Sequence, residues 1–132
     1  MFKNLEVFKI SHAMAVHAGQ KQAVAAQNVA NSDTPEYKAR DLAPFAETYK
    51  SNTSLGDVAG QRATRARHLH GSVGGQVPEP MIDKEAIASP NGNTVSLEGE
   101  MLKSLGAKRQ HDRALAIYKS SLGILRATLS RQ

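Results

Sequence analysis

The 132-residue chain has 17 Lys and Arg against 12 Asp and Glu, no Cys, no Trp, three Phe and three Tyr, which leaves room for one domain and few bulky side chains to fill it. The lack of Cys excludes a disulfide framework, a thiolate nucleophile and any Cys-ligated metal site. Apolar runs are as short as Ala13–Val16, so the sequence offers neither a membrane-spanning helix nor the h-region of a cleavable signal peptide.

The charge is uneven along the chain. Residues 1–30 carry three Lys and one Glu (+2), residues 31–95 seven basic and eight acidic groups (−1), and residues 96–132 seven basic and three acidic (+4). A basic pair of terminal segments is open to three readings: nucleic acid, an anionic membrane surface, or the solvated outer face of helices buried on their other side. A balance this modest favours the third.

The first segment, residues 1–31, has no Pro and one Gly, Gly19. Leu5, Phe8, Ala15, Gln22, Ala26 and Val29 fall near a seven-residue pattern, which predicts an amphipathic helix. Seven residues between Ala13 and Ala30 are Ala, a strong helix former with a slim surface that a neighbouring helix can approach closely. Asn28 and Asn31 suit a C-terminus and Pro35 cannot continue a helix, so the segment stops between them.

Residues 32–95 read as an irregular middle, partly disordered, with room for short strands. Within it, residues 51–80 contain five Gly and two Pro and are expected to be mobile. Tyr37, Leu42, Phe45 and Tyr49 form a small apolar group able to fold back on the first helix, and PNGN at 90–93 signals a turn. The last segment, residues 96–132, starts at Ser96 as N-cap, with Glu98 and Glu100 in the first turn where the helix dipole favours them. Leu115, Tyr118, Leu122, Leu125 and Leu129 follow a 3-4-3-4 spacing, a heptad seam that wants a partner helix. The fold expected is mainly α: long N- and C-terminal helices of roughly 45 and 50 Å in an antiparallel, coiled-coil-like hairpin. Leu5, Phe8, Ala15, Ala26 and Val29 are the expected partners of the seam, within or between subunits.

Catalytic patterns are missing. His68 and His70 have no third ligand nearby for a metal. His12 and His17 are not an i, i+4 pair, and suit partly buried or interface positions. GSVGGQ at 71–76 lacks the Lys-Ser/Thr ending of a phosphate loop, and no nucleophile elbow supports a triad. No enzyme, cofactor or metal is expected. Arg62, Arg65 and Arg67 form the best nucleic-acid candidate, giving the alternative of a small basic nucleic-acid-binding protein, but no aromatic side chains are interleaved for base stacking.

AQNVANSDTPEYKARDL, residues 26–42, resembles the signature of the bacterial flagellar rod, hook and hook-associated axial proteins. The matching positions are Asn28, Val29, Ala30, Asn31, Thr34, Pro35 and Tyr37, with Glu36 where members of that family usually carry Gly. KARDL, ATRARHLHG and GNTVSLEGEM at 92–101 narrow the resemblance to the smallest, proximal-rod members, with Ser96 where Asp is common. The resemblance implies a structural, self-assembling subunit whose terminal helices pack with neighbours into a tube, as part of the drive shaft needed for flagellum assembly and motility. It further implies other copies of itself, other rod proteins, the MS-ring/rod junction protein and the flagellar type III export apparatus as partners, with neither nucleic acid nor membrane insertion. The implied location is the periplasm-spanning basal body, reached from the cytoplasm without signal cleavage.

Overall fold

A computed structural model describes the backbone of residues 2–54 and 78–129 and the side chains of residues 6–49 and 78–129. Two long helices dominate: α1, Phe2–Ala30, and α3, Leu97–Leu129. Between them lie β1 (Arg40–Asp41), α2 (Phe45–Ser54) and β2 (Met81–Ile82). The long helices run antiparallel. Phe8 near the start of α1 meets Tyr118 late in α3, ring edge to face at 5.1 Å, while the far end of α1 is held by Asn93, just before α3 begins.

The seam is built of small residues. On α1 the buried or half-buried positions Ser11, Met14, Ala18, Lys21, Ala25 and Asn28 step by three and four, as do Glu100, Lys103, Ala107, Gln110 and Ala114 on α3. That period keeps one stripe of each helix facing the other, and alanines along it let the axes come close. Five of the seven buried apolar side chains among the described residues are alanines. Each removes little apolar surface from water, so this helix pair gains less from burial than a Leu-filled seam would.

Short pieces brace one end of the hairpin. β1 pairs antiparallel with β2, Arg40 opposite Ile82 and Asp41 opposite Met81, and the Asp83 amide extends the ladder to the Ala39 carbonyl at 2.8 Å. α2 replaces what composition suggests is irregular chain. Pro44 accepts the first amide bonds of this helix, from Glu47 and Thr48, and Phe45 and Tyr49, one turn apart, stack at 5.5 Å. A helix of 10 residues is marginal alone; contact with α1 through Phe45 and His17, at 5.6 Å, steadies its start. Leu42 is buried beside it, so the expected apolar group does fold back on α1. The expectation of a mobile stretch over residues 51–80 falls largely outside the described residues.

Candidate functional site

The two motifs that carry the family resemblance, about sixty positions apart in sequence, dock against each other where α1 ends and α3 begins. Asn28 is fully buried on the last turn of α1. Its Nδ2 donates to the Arg40 carbonyl at 2.7 Å, and its Oδ1 accepts the Arg40 amide at 3.1 Å and the Tyr37 hydroxyl at 3.3 Å. A carboxamide carries a donor and an acceptor side by side, so Asn28 pairs with Arg40 as a neighbouring strand would and fixes where the chain leaves the helix.

Asn93 closes the same junction from the other side. Its Nδ2 lies 2.8–2.9 Å from the carbonyls of Asn31, Ser32 and Thr34, and its Oδ1 accepts the Val95 amide at 2.7 Å. A helix C-terminus leaves carbonyls without intrahelical partners, and here a side chain from the opposite end of the middle segment satisfies carbonyls just beyond that end. Thr94 adds two links: its amide donates to the Tyr37 carbonyl at 3.1 Å and its Oγ1 accepts the Ala39 amide at 2.8 Å.

The turn between these motifs holds two left-handed residues in contact. Glu36 adopts φ 61° and Gly92 φ 80°; the Glu36 amide donates to the Asn91 carbonyl at 3.1 Å. A Cβ on Gly92 would meet Glu36 Cγ at 3.3 Å and its Cα at 3.4 Å. Glu36 therefore adopts the backbone shape its glycine-bearing relatives reach without strain.

Next to the junction, Lys103 of α3 gathers three carboxylates: Asp83 at 3.0 Å, Glu100 at 3.1 Å and Asp41 at 3.3 Å, while Lys21 of α1 reaches Asp41 at 3.5 Å. The cluster ties α1, β1, the end of β2 and α3 together. Burial alone would pull the Lys103 ammonium down, but hydrogen bonds to Asp83 and Glu100 and the charges of Asp41 and Glu100 outweigh it and hold the group above the ordinary lysine range. The hydrogen bond from Lys103 holds Asp83 below the usual carboxylate range against the opposing effect of burial. Glu100 is 3% exposed, and its Oε2 has no partner among the described residues.

The remaining expected positions are distributed as follows. Asn31 Nδ2 donates back to the Gln27 carbonyl at 2.8 Å and its Oδ1 accepts the Thr34 hydroxyl at 3.3 Å; Val29, Ala30 and Pro35 are exposed. Ser96 Oγ accepts the Gly99 amide at 3.3 Å, and its carbonyl accepts the Glu100 amide. Leu5 lies on α1 with its side chain outside the described set. Phe8, Ala15, Leu122 and Leu125 are half-buried, whereas Ala26, Leu115, Tyr118 and Leu129 are exposed in the single chain. His12 is exposed; His17 is buried, and because a carbonyl only accepts, its Nε2–H donates to the Ala43 carbonyl at 2.9 Å. Arg62, Arg65, Arg67, His68, His70 and the segment 71–76 lie outside the described residues.

Residue reading alone missed Asn93, Thr94 and the Lys103 cluster as functional groups. GNTV stands out only within the family pattern, and nothing local says that its Asn reaches back to residues 31–34. Among the described residues no group of three or more His, Cys, Asp or Glu is placed to hold a metal ion, and no helix is long and apolar enough to cross a membrane. What the junction does is mechanical: it sets the direction in which the middle segment departs and locks the register of the helix pair.

No protein-family model matches the chain. Over 130 residues, 96% of this chain and 95% of its relative, it is 28% identical to the flagellar basal body rod protein FlgB of Agrobacterium fabrum (strain C58 / ATCC 33970).

Proposed function

The chain belongs to the family of flagellar basal body rod protein FlgB, and from that membership we propose that it is a structural subunit of the proximal rod, assembling through α1 and α3 into the tubular shaft that flagellum assembly and motility require. The observation that carries this reading is the match running through nearly the whole of both chains. A subunit built for neighbours also accounts for the physical character of the fold: an alanine-lined seam with little buried apolar surface, and large apolar side chains such as Ile124 and Leu129 left at the surface.

In this role the helix pair supplies the packing element and the Asn28–Asn93 junction holds its two strands of chain in register. Partners are other copies, other rod proteins, the MS-ring/rod junction protein and the flagellar type III export apparatus; the chain travels from the cytoplasm into the periplasm-spanning rod without signal cleavage. The test is to purify hook-basal bodies from cells making a tagged copy and to image and probe them for the polypeptide. Presence in the rod, with loss of motility on deletion, is the expected result; absence from the purified bodies would sink the assignment.

A further inference from the structure

The surface of α3 divides into two apolar patches of opposite charge. Near its start, Leu97, Met101, Leu102 and Leu105 are exposed, continuous in sequence with the exposed acids Glu79, Glu85 and Glu98 and the single base Lys84 on the stretch leading in. Toward its end, Leu115, Ile117, Ile124 and Leu129 are exposed among Lys108, Arg109, Arg113, Lys119 and Arg126, with Asp112 the one acid. Apart from a contact between His111 and Asp112 at 4.0 Å, none of these charges takes part in an ion pair among the described residues.

The two patches share a flank. Leu97, Met101, Leu105, Lys108, Leu115, Lys119 and Arg126 follow one another at steps of three, four and seven, roughly a third of a turn away from the seam that faces α1. An apolar flank that is acidic at one end and basic at the other complements a displaced copy of itself, because the basic end of one chain meets the acidic end of the next.

We propose that the acidic apolar patch around Met101 docks the basic apolar patch around Leu115 of a second copy of this chain, head to tail. An antiparallel pair would satisfy the same charges but closes after two copies, whereas a rod subunit needs a contact that repeats; the polarity of the contact, though not the pairing of patches, rests on the rod reading. Met101 and Leu115 are separated by about 21 Å along one helix, so a short cross-linker joins them only between chains.

The chain has no native Cys, which makes the experiment direct. Full-length protein carrying Met101→Cys and Leu115→Cys together is treated at high concentration with a bismaleimide shorter than that spacing. The expected product is a ladder of dimer, trimer and larger species; no cross-link, or dimer alone, overturns the proposal. In the same background Glu85→Lys with Glu98→Lys should lower the yield about tenfold or more, and mixing with a chain carrying Lys119→Glu and Arg126→Glu should restore it. All four are exposed, and helical circular dichroism checks that each variant is folded. An unchanged yield, or no restoration, counts against the pairing. If hook-basal bodies contain the protein but the ladder is absent, this contact fails and the rod reading stands; if the ladder forms but the bodies lack the protein, the reverse holds.

Discussion

At the scale of single residues, the junction depends on side chains that imitate backbone. Asn28 uses one carboxamide to satisfy both polar groups of Arg40 and the Tyr37 hydroxyl inside a site closed to water. Asn28→Ala leaves all three unpaired, and the expected loss is about 3 kcal/mol, read as a lowered midpoint in urea. Asn28→Asp should do no better, since it turns an acceptor toward the Arg40 carbonyl and buries a charge. Glu36 presents the opposite case. Its left-handed conformation carries a cost of about 1 kcal/mol that glycine avoids, partly offset by the greater freedom of glycine in the unfolded chain. Glu36→Gly should therefore be neutral to slightly stabilising by thermal melting, while Gly92→Ala, forced against Glu36 at positive φ, should destabilise.

Among the elements, the two-residue strands are too short to hold themselves in place. Lys103 does much of that holding, tying Asp41 and Asp83 to α3 and supplying the counter-charge to buried Glu100. Removing it by Lys103→Met leaves the Glu100 carboxylate without its cation, at an expected cost of about 2 kcal/mol, below that of a fully buried pair because Lys103 retains some solvent contact. The pH dependence has a definite sign. Asp83 ionises more readily in the folded chain than in the unfolded one, so its contribution is complete above the unfolded carboxylate value, about 3.9, and fades as pH falls through its lower folded value. Lys103 is shifted upward, so its contribution is complete below about 10.4 and fades only as pH rises through its higher folded value. Stability measured across pH should thus be flat near neutrality with respect to this cluster and fall at both extremes. Lys103→Met should flatten both limbs; limbs as steep as before would mean that other groups set them.

For the whole molecule, the balance is between a narrow seam and broad exposed flanks. Alanines at 18, 25, 107 and 114 bring α1 and α3 together, while Leu122 and Leu125 sit half-buried at their margin. In the rod reading these margins are completed by neighbouring subunits. Leu122→Ala combined with Leu125→Ala should cost roughly 2 kcal/mol or more per site once the positions are fully covered, and less in the isolated chain. The expected outcome is a modest shift in melting temperature with a large loss of swimming and of rod assembly. Normal motility would mean that these leucines do not hold the assembly together.

Much of the architecture is local and therefore legible from the chain. Alanine-rich sequence, a Pro that cannot continue a helix and a Ser-capped start mark two long helices, because helix formation and termination are settled within a turn or two. The aromatic group at 37–49 announces a piece that folds back on α1, though not that it becomes helical over Phe45–Ser54, since that depends on His17 meeting Phe45. Periodicity points to the large residues 115, 118, 122, 125 and 129, yet the chain brings its smaller and more polar positions 100, 103, 107, 110 and 114 to a common buried face. Hydrophobicity ranks side chains by their own transfer free energy, whereas the stripe that closes is chosen by how near two backbones can come. The reach of Asn93 to Asn31, Ser32 and Thr34, and of Lys103 to Asp41 and Asp83, is likewise invisible along the chain: those groups become neighbours only after two helices have turned back on one another.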